Sequence, residues 1–273
     1  MQNKEINLTE ARVVASGLAM DAGDILKKRF LSQRVIVSKE KGSINFSTNA
    51  DVEAETLIIR GLRKRFPQIP ILSEEEAEET ARDGYESFKE FDWLWVNDPL
   101  DGTANFTHGF PRFAVSISLI RRGEPVLGVV YMPMSNELLS AQADRKLARL
   151  NGRPIHVSPV DNLRRASFLC DWCPAEDQRR LMIDYLNNIV GEVWQIKSQG
   201  SAVADLCSVA IGQSEAYINP GLKPWDIAGP TIIVEKAGGQ VSNRSGGKLD
   251  IFKADIFASN GILHQPILDL INK

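Results

Sequence analysis

The sequence predicts an α/β protein, with an α+β N-terminal half and an α/β C-terminal half, on three observations. Two amphipathic helical stretches open the chain, long apolar runs form hairpin-like pairs in its middle, and strand-like and helix-like segments alternate through its second half. The first helix starts at Asn7-Leu8-Thr9-Glu10, with Asn7 as cap and Glu10 reaching back. It carries Val13, Val14, Leu18, Ala22, Ile25 and Leu26 at helical spacing. Val35-Ile36-Val37 reads as a short strand and Lys39 to Ser43 as a polar loop. A second helix runs from Asp51 through Val52, Leu57, Ile58, Ile59, Leu62 and Phe66 to a stop at Pro67 and Pro70.

Ile69 to Ser73 is a short strand candidate followed by acidic residues from Glu74 to Glu90, a run that reads as a solvated helix or flap. Phe113 to Ile120 and Val126 to Met132 form a hairpin around Arg121 to Pro125. Glu137 to Ala141 and Leu147 to Leu150 suggest further strands before the turn Asn151-Gly152-Arg153-Pro154. One catalytic unit over 1–273 is expected, with sub-domains 1–153 and 154–273 and no flexible linker. Beyond the boundary, strands are expected at Ala166–Cys170, Glu192–Ile196, Glu215–Ile218 and Gln240-Val241. Helices are expected at Ala175–Val190, Ser201–Ile211 and around Asp226.

With 273 residues, 43% hydrophobic and 25% charged, the chain can bury a large core. A net charge of -3 gives no basic footprint for nucleic acid or an anionic membrane. Met1 to Phe30 lacks the basic start and apolar centre of a signal peptide, and no run reaches the ~18 apolar residues of a membrane span, so a cytoplasmic location is expected. Cys170, Cys173 and Cys207 do not form a disulfide framework. Cys170-Asp171-Trp172-Cys173 is a CxxC pair with too few further ligands for zinc. His108, His156 and His264 share no ligand or triad spacing and are expected to be surface or structural residues.

The most informative stretch is Trp93 to Thr107. An aromatic strand breaks at Asp98-Pro99, because proline cannot continue a central ladder, and Trp93 and Trp95 read as core. Asp98 and Asp101 then project from a rigid turn, and Gly102-Thr103 opens a helix whose unpaired amides attract anions. Two acids beside an anion site need cations between them, which points to hard divalent metals bridging carboxylates and a phosphate.

The run Asp98-Pro99-Leu100-Asp101-Gly102-Thr103, followed by Asn105-Phe106, closely resembles the signature of the inositol monophosphatase family. That family comprises magnesium-dependent phosphatases related to fructose-1,6-bisphosphatase. Trp225-Asp226-Ile227-Ala228-Gly229, ending in Glu235 to Gly239, resembles its C-terminal signature. The likeness covers nearly the whole chain and implies a layered α-β-α-β-α sandwich hydrolysing a phosphate monoester, with two or three magnesium ions, lithium sensitivity and a homodimer. It implies that Glu74, Asp98 and the Leu100 carbonyl hold one ion and that Asp98, Asp101 and Asp226 hold a second.

By the same likeness Asp51, in Thr48-Asn49-Ala50-Asp51, activates the attacking water with Thr103. From the residues alone Asp51 would be a helix cap. Ser73 stands where the family carries the glycine of Gly-Glu-Glu, and Glu75 is a further ligand candidate. The Gly102 and Thr103 amides, Asp101 and Asp226 are implied at the phosphate and leaving group. Gly200, Ser201 and Ala202 match the loop that contacts the inositol ring, and Asn219 stands where inositol-specific enzymes carry a glutamate. Inositol monophosphate or a related sugar phosphate is the implied substrate, with fructose-1,6-bisphosphate, histidinol phosphate and 3'-phosphoadenosine 5'-phosphate as rivals. A regulatory or scaffolding protein that keeps the fold is the reading from another class.

Overall fold

The computed structural model describes residues 5–32, 48–80, 84–253 and 255–273. The strand and loop expected between Val35 and Ser43 lie outside the described residues. Helices α1 (Leu8–Leu31) and α2 (Asn49–Arg65) cover one face of a seven-stranded sheet. In order this sheet contains β1 (Ile71–Ser73), β2 (Trp93–Asp101), β3 (Ala114–Arg121), β4 (Glu124–Met132), β5 (Glu137–Gln142), β6 (Arg149–Leu150) and β7 (Arg153–Pro154). Short helices α3 (Glu74–Thr80) and α4 (Thr103–Thr107) follow β1 and β2. The remaining helices are α5 (Glu176–Ile189), α6 (Ala202–Ala210), α7 (Pro224–Lys236) and α8 (His264–Ile271).

A second, five-stranded sheet is built from β8 (Ser167–Cys170), β9 (Gln195–Lys197), β10 (Ala216–Asn219), β11 (Gln240–Ser242) and β12 (Ile256–Ser259), in the order β11-β12-β10-β8-β9. Its β8, β9 and β10 are parallel, and β12 runs antiparallel to β10 and β11. Three apolar clusters mark the layers. One joins α1 and α2 to the first sheet, one fills the space around α6 and α7 between the sheets, and one joins the second sheet to α5 and α8. The result is the α-β-α-β-α sandwich. Strand β12 and helix α8 lie in a part of the sequence for which no element was expected.

The buried stripe of α1 differs from the expected one. Ala11, Ala15, Ala19 and Ala22 are fully buried with Leu26, while Val13 is 60% exposed. Alanines three or four apart form a smooth face that lets the helix lie close to the sheet, and Gly23 admits the Tyr131 ring at a point where a Cβ would meet Cδ1 at 2.4 Å. The β3–β4 hairpin forms as expected, turning through Arg122 (φ 50°) and Gly123 (φ 81°).

Two expectations about proline need correction. Strand β2 does not stop at Pro99. It continues to Asp101 through a register shift, so that Asp98 faces Ser116 and Asp101 faces Ala114, and the bulge absorbs the missing donor. The sequence also places Pro230 in the first turns of the Asp226 helix, where early N–H groups lack partners. Helix α7 starts at Pro224, so Pro230 is interior and leaves the Asp226 carbonyl without the amide four residues on.

Helix α7 reaches the first sheet by glycine on glycine. A Cβ at Gly128 of β4 would lie 2.2 Å from the Gly229 carbonyl oxygen and 2.8 Å from Ile232 Cγ2. Because backbone cannot yield as a side chain can, Gly128→Ala is expected to lower stability by about 1–3 kcal/mol, or several degrees in melting temperature, measured by thermal unfolding.

His264 is buried at the start of α8, with its ring nitrogens 2.9 Å from Ser242 Oγ and 2.8 Å from Ser259 Oγ. Burial lowers its pKa from 6.5 to about 4. The unfolded chain therefore takes up a proton near pH 6.5 that the folded chain refuses, so stability is fully present above that pH and declines as pH falls toward 4. His264→Gln should flatten this acid limb in denaturant titrations from pH 7 to pH 4.

Candidate active site

Three elements bring four carboxylates to one place. The ends of β1 and β2 are parallel neighbours, with Ser73 paired to Asn97, so Glu74 emerges beside Asp98. Helix α7 enters with Asp226 in its first turn. Carboxylate oxygens of Asp98, Asp101 and Asp226 lie within 4.8 Å of one another. The Glu74 carboxyl lies against that of Asp98 and close enough to feel Asp226 and Asp51. Asp98 and Asp101 are buried, and Glu74 and Asp226 are half-buried.

Each acid is fixed by its own surroundings. The Leu100 N–H donates to Asp98 Oδ1 (2.9 Å), closing a turn across Pro99. Asp101 Oδ2 accepts from Ser201 Oγ and from the Val203 amide (3.1 Å), which ties it to the first turn of α6. The Lys223 N–H donates to Asp226 Oδ2 (2.7 Å). Gly102, at φ 87°, turns the chain from β2 into α4, and a Cβ there would press on the Arg112 carbonyl and on Ser201. The Thr103 hydroxyl donates to the Leu100 carbonyl (2.9 Å), so these two predicted residues touch.

Asp51 is not the cap of α2. Thr48 is, accepting from the Ala50 amide (3.1 Å), and Asp51 at the third position accepts the Thr48 N–H in return. One turn later Glu55, buried on the same helix, holds the turn that carries Glu74. Its Oε1 accepts from Ser73 Oγ and from the amides of Glu75 (3.2 Å) and Glu76 (3.4 Å). Asn97 Nδ2 in turn donates to Ser73 Oγ (2.7 Å). The serine at the family's glycine position thus links three elements. Its partner Glu55 was missed, although it lies four residues from Asp51 on one helical face.

Burial, then mutual repulsion, pushes the carboxyl pKa values of Glu74 and Asp98 far above the ordinary range. Burial and Asp226 raise Asp101, and burial raises Asp226. An all-oxygen cluster that resists ionising alone is suited to a hard divalent cation, and no nitrogen or sulfur donor belongs to it.

The predicted substrate loop borders this cluster. Asn105 Nδ2 donates to the carbonyls of Gln199 (2.7 Å) and Arg112 (2.8 Å), clamping α4 to the segment before Gly200. Ser201 caps α6, Ala202 begins it, and both are buried. Behind the loop lies a polar network that sequence reasoning missed. Asp171 Oδ1 accepts from the Gly200 amide (2.8 Å) and Ser198 Oγ (3.0 Å), and the Asp205 carboxyl lies close by. Asp205 is fully buried and paired with Arg112 at 2.6 Å.

Asn219 is buried. Its Oδ1 accepts from Cys173 Sγ (2.9 Å) and the Gly221 amide (2.9 Å), while Nδ2 donates to Tyr217 Oη (3.3 Å). Cys170, Cys173 and Cys207 are free and buried, and burial pushes the Cys170 and Cys173 thiols up to about 12 and about 11, opposite to the shift that activates a thiolate.

A five-layer sandwich whose strand ends and central helix converge acidic oxygens defines the class of metal-dependent phosphatase folds. The sequence model of the Inositol monophosphatase family matches residues 7–273, and the chain belongs to that family. Among its relatives, the Nus factor SuhB of Escherichia coli K12 is 35% identical over 249 residues, 90% of each chain. Inositol monophosphatase 3 of Solanum lycopersicum is 33% identical over 265 residues, 95% of this chain and 96% of the relative. The crystal structure of the extragenic suppressor protein suhB from Bartonella henselae superposes with a TM-score of 0.86 at 31% identity, covering 97% of this chain and 99% of that one. Among the described residues no helix is long and apolar enough to cross a membrane.

The crowding predicts opposite effects of one substitution. Asp98→Asn, which keeps the Leu100 contact and removes a like charge, should raise the melting temperature of metal-free protein. The same change should shrink the increase produced by a saturating divalent cation, which for wild type is about 5–10 °C. Scanning calorimetry with and without magnesium checks both, and the cation-induced gain should be larger at pH 8 than at pH 6, where protons compete.

Proposed function

We propose that this protein is a magnesium-dependent phosphomonoesterase acting on inositol monophosphate or a related sugar phosphate. The observation that carries the proposal is the meeting of Asp98, Asp101 and Asp226 oxygens within 4.8 Å, from parts of the chain more than a hundred residues apart. Glu74, Asp98, Asp101 and Asp226, with the Leu100 carbonyl, would hold two or three ions. When bound, such ions make water more acidic and neutralise charge on the transferring and leaving oxygens.

The chain's own groups do the rest. Thr103 Oγ1, anchored on the Leu100 carbonyl, and Asp51 on α2 orient the attacking water and accept its proton. The Gly102 and Thr103 amides, on the turn that Gly102 makes possible, receive a phosphate oxygen. Asp226, at the mouth of α7, lies toward the leaving group. Gly200, Ser201 and Ala202 form the wall on which the alcohol portion rests. Asn219 bears on substrate choice from beneath that wall, since its amide is engaged with Cys173, Gly221 and Tyr217. A cytoplasmic homodimer inhibited by lithium accompanies this reading by family likeness.

A second reading is supported by the Nus factor name of the Escherichia coli relative, namely a role in transcription complexes alongside or in place of hydrolysis. A panel of inositol monophosphate, fructose-1,6-bisphosphate, histidinol phosphate and 3'-phosphoadenosine 5'-phosphate, assayed for phosphate release with magnesium, separates the possibilities. Turnover of inositol monophosphate or another sugar phosphate, reduced about a thousandfold or more in Asp98→Asn, is expected. No release from any member would overturn the enzyme reading. A cellular phenotype rescued by Asp98→Asn would favour the second.

A further inference from the structure

A cavity of about 500 Å³ lies where the first turns of α1 meet the turn between β5 and β6. Arg12, Arg145, Lys146 and Arg149 line it, with Ser140 and Gln142 at its floor, and no acidic side chain belongs to the lining. In a chain with slightly more acids than bases, four cations around one concavity are not a sampling of the average surface. Among the described residues, none of the four takes part in an ion pair.

Two of these cations are held in place with donors to spare. Arg12 spends only Nε, on Gln142 Oε1 (2.8 Å), and Gln142 is itself braced by Thr9 Oγ1 (3.3 Å) and Asp144 Oδ1 (2.7 Å). Arg149 donates from Nη1 to the Gly152 carbonyl (2.6 Å). A guanidinium fixed by one N–H keeps its others for an oxyanion, at little entropic cost on binding. Asp144, the acid of the same turn, is engaged by Gln142 and stays outside the lining. The cavity is remote from the carboxylate cluster. Its turn is tied to the C-terminal end of α7, through Lys236 Nζ to the Ala143 carbonyl (2.9 Å), whereas Asp226 sits near the other end, about 15 Å away along the helix.

We propose that this cavity binds a small polyphosphate anion, inorganic or nucleotide-borne, at a site separate from the carboxylate cluster. One phosphate dianion would leave the four cations half-compensated, so a ligand with two or more phosphoryl groups matches the charge. The volume suits a small molecule. A nucleic-acid backbone would need a continuous basic stripe rather than a pit.

The test is calorimetric titration of the full chain in EDTA at low salt, first with inorganic tripolyphosphate and then with a nucleoside triphosphate. Wild type and Asp98→Asn should bind tripolyphosphate alike with one site per chain. Arg145→Ser combined with Lys146→Ser, both exposed turn residues, should weaken binding about tenfold or more while circular dichroism and magnesium-dependent phosphatase activity stay unchanged. Equal binding of the two ligands would assign recognition to the phosphates alone, and tighter nucleotide binding would add a contact to the base or sugar. Three results would overturn the proposal: no binding of either ligand, binding unaffected by the double substitution, or binding only of a single-stranded RNA oligonucleotide.

Discussion

The repulsion among carboxylates forced together out of water is the constraint around which this molecule is built. Two unit charges 4 Å apart repel by about 4 kcal/mol at the effective dielectric of a protein surface, whereas a hydrogen bond to a charged group returns about 1.5–3 kcal/mol. One amide donor apiece, from Leu100 to Asp98, Val203 to Asp101 and Lys223 to Asp226, therefore orients the acids without making the cluster comfortable. Protons or cations must complete it. The raised carboxyl pKa values are the proton solution, and divalent metal binding is the solution that leaves the oxygens available for chemistry.

Holding that cluster is a task shared by every layer. Helix α7 can bring Asp226 to β2 only because Gly128 and Gly229 let its backbone approach the first sheet, and the alanine face of α1 holds the same sheet from the other side. Glu55 on α2 fixes the turn from which Glu74 projects. Asp101 accepts the Val203 amide in the first turn of α6 and the hydroxyl of its cap Ser201, so the acid and the adjoining loop cannot move independently. A rigid scaffold of this kind suits a site that must keep like charges adjacent.

Much of this was legible in the sequence because the cluster comes from two contiguous motifs, Asp98 to Thr103 and Trp225 to Gly229, whose local chemistry and family likeness point the same way. The layers followed from strong apolar periodicity. The bulge at Pro99 was not legible, since proline reads as an end of a strand unless the opposing strand is known to yield. The burial of alanines in α1 was hidden as well, because a moment drawn from large apolar residues ignores a smooth small face. Glu55, Asp171, Asp205 and Arg112 were invisible for a common reason. Each is a charged residue whose partner lies far off in sequence, so nothing local separates it from a solvated one.

Those hidden residues set the shape of the loop proposed to face the substrate. Asp171 and Asp205 lie close together behind the Ser198–Ser201 loop, and burial raises both carboxyls, Asp205 to about 7. Among the described residues Arg112 pairs with Asp205 alone, and Asp171 is held instead by neutral donors. Asp171 accepts from the Gly200 amide and Ser198, and Asn219 is held through Tyr217 and Cys173. The wall of the site is thus a surface whose shape is set by interior bonds, with few free polar groups of its own. On the proposed phosphatase reading, such a wall would select an alcohol by fit more than by charge, and an asparagine at position 219 would change which alcohol is accepted while leaving the phosphoryl half of the site intact.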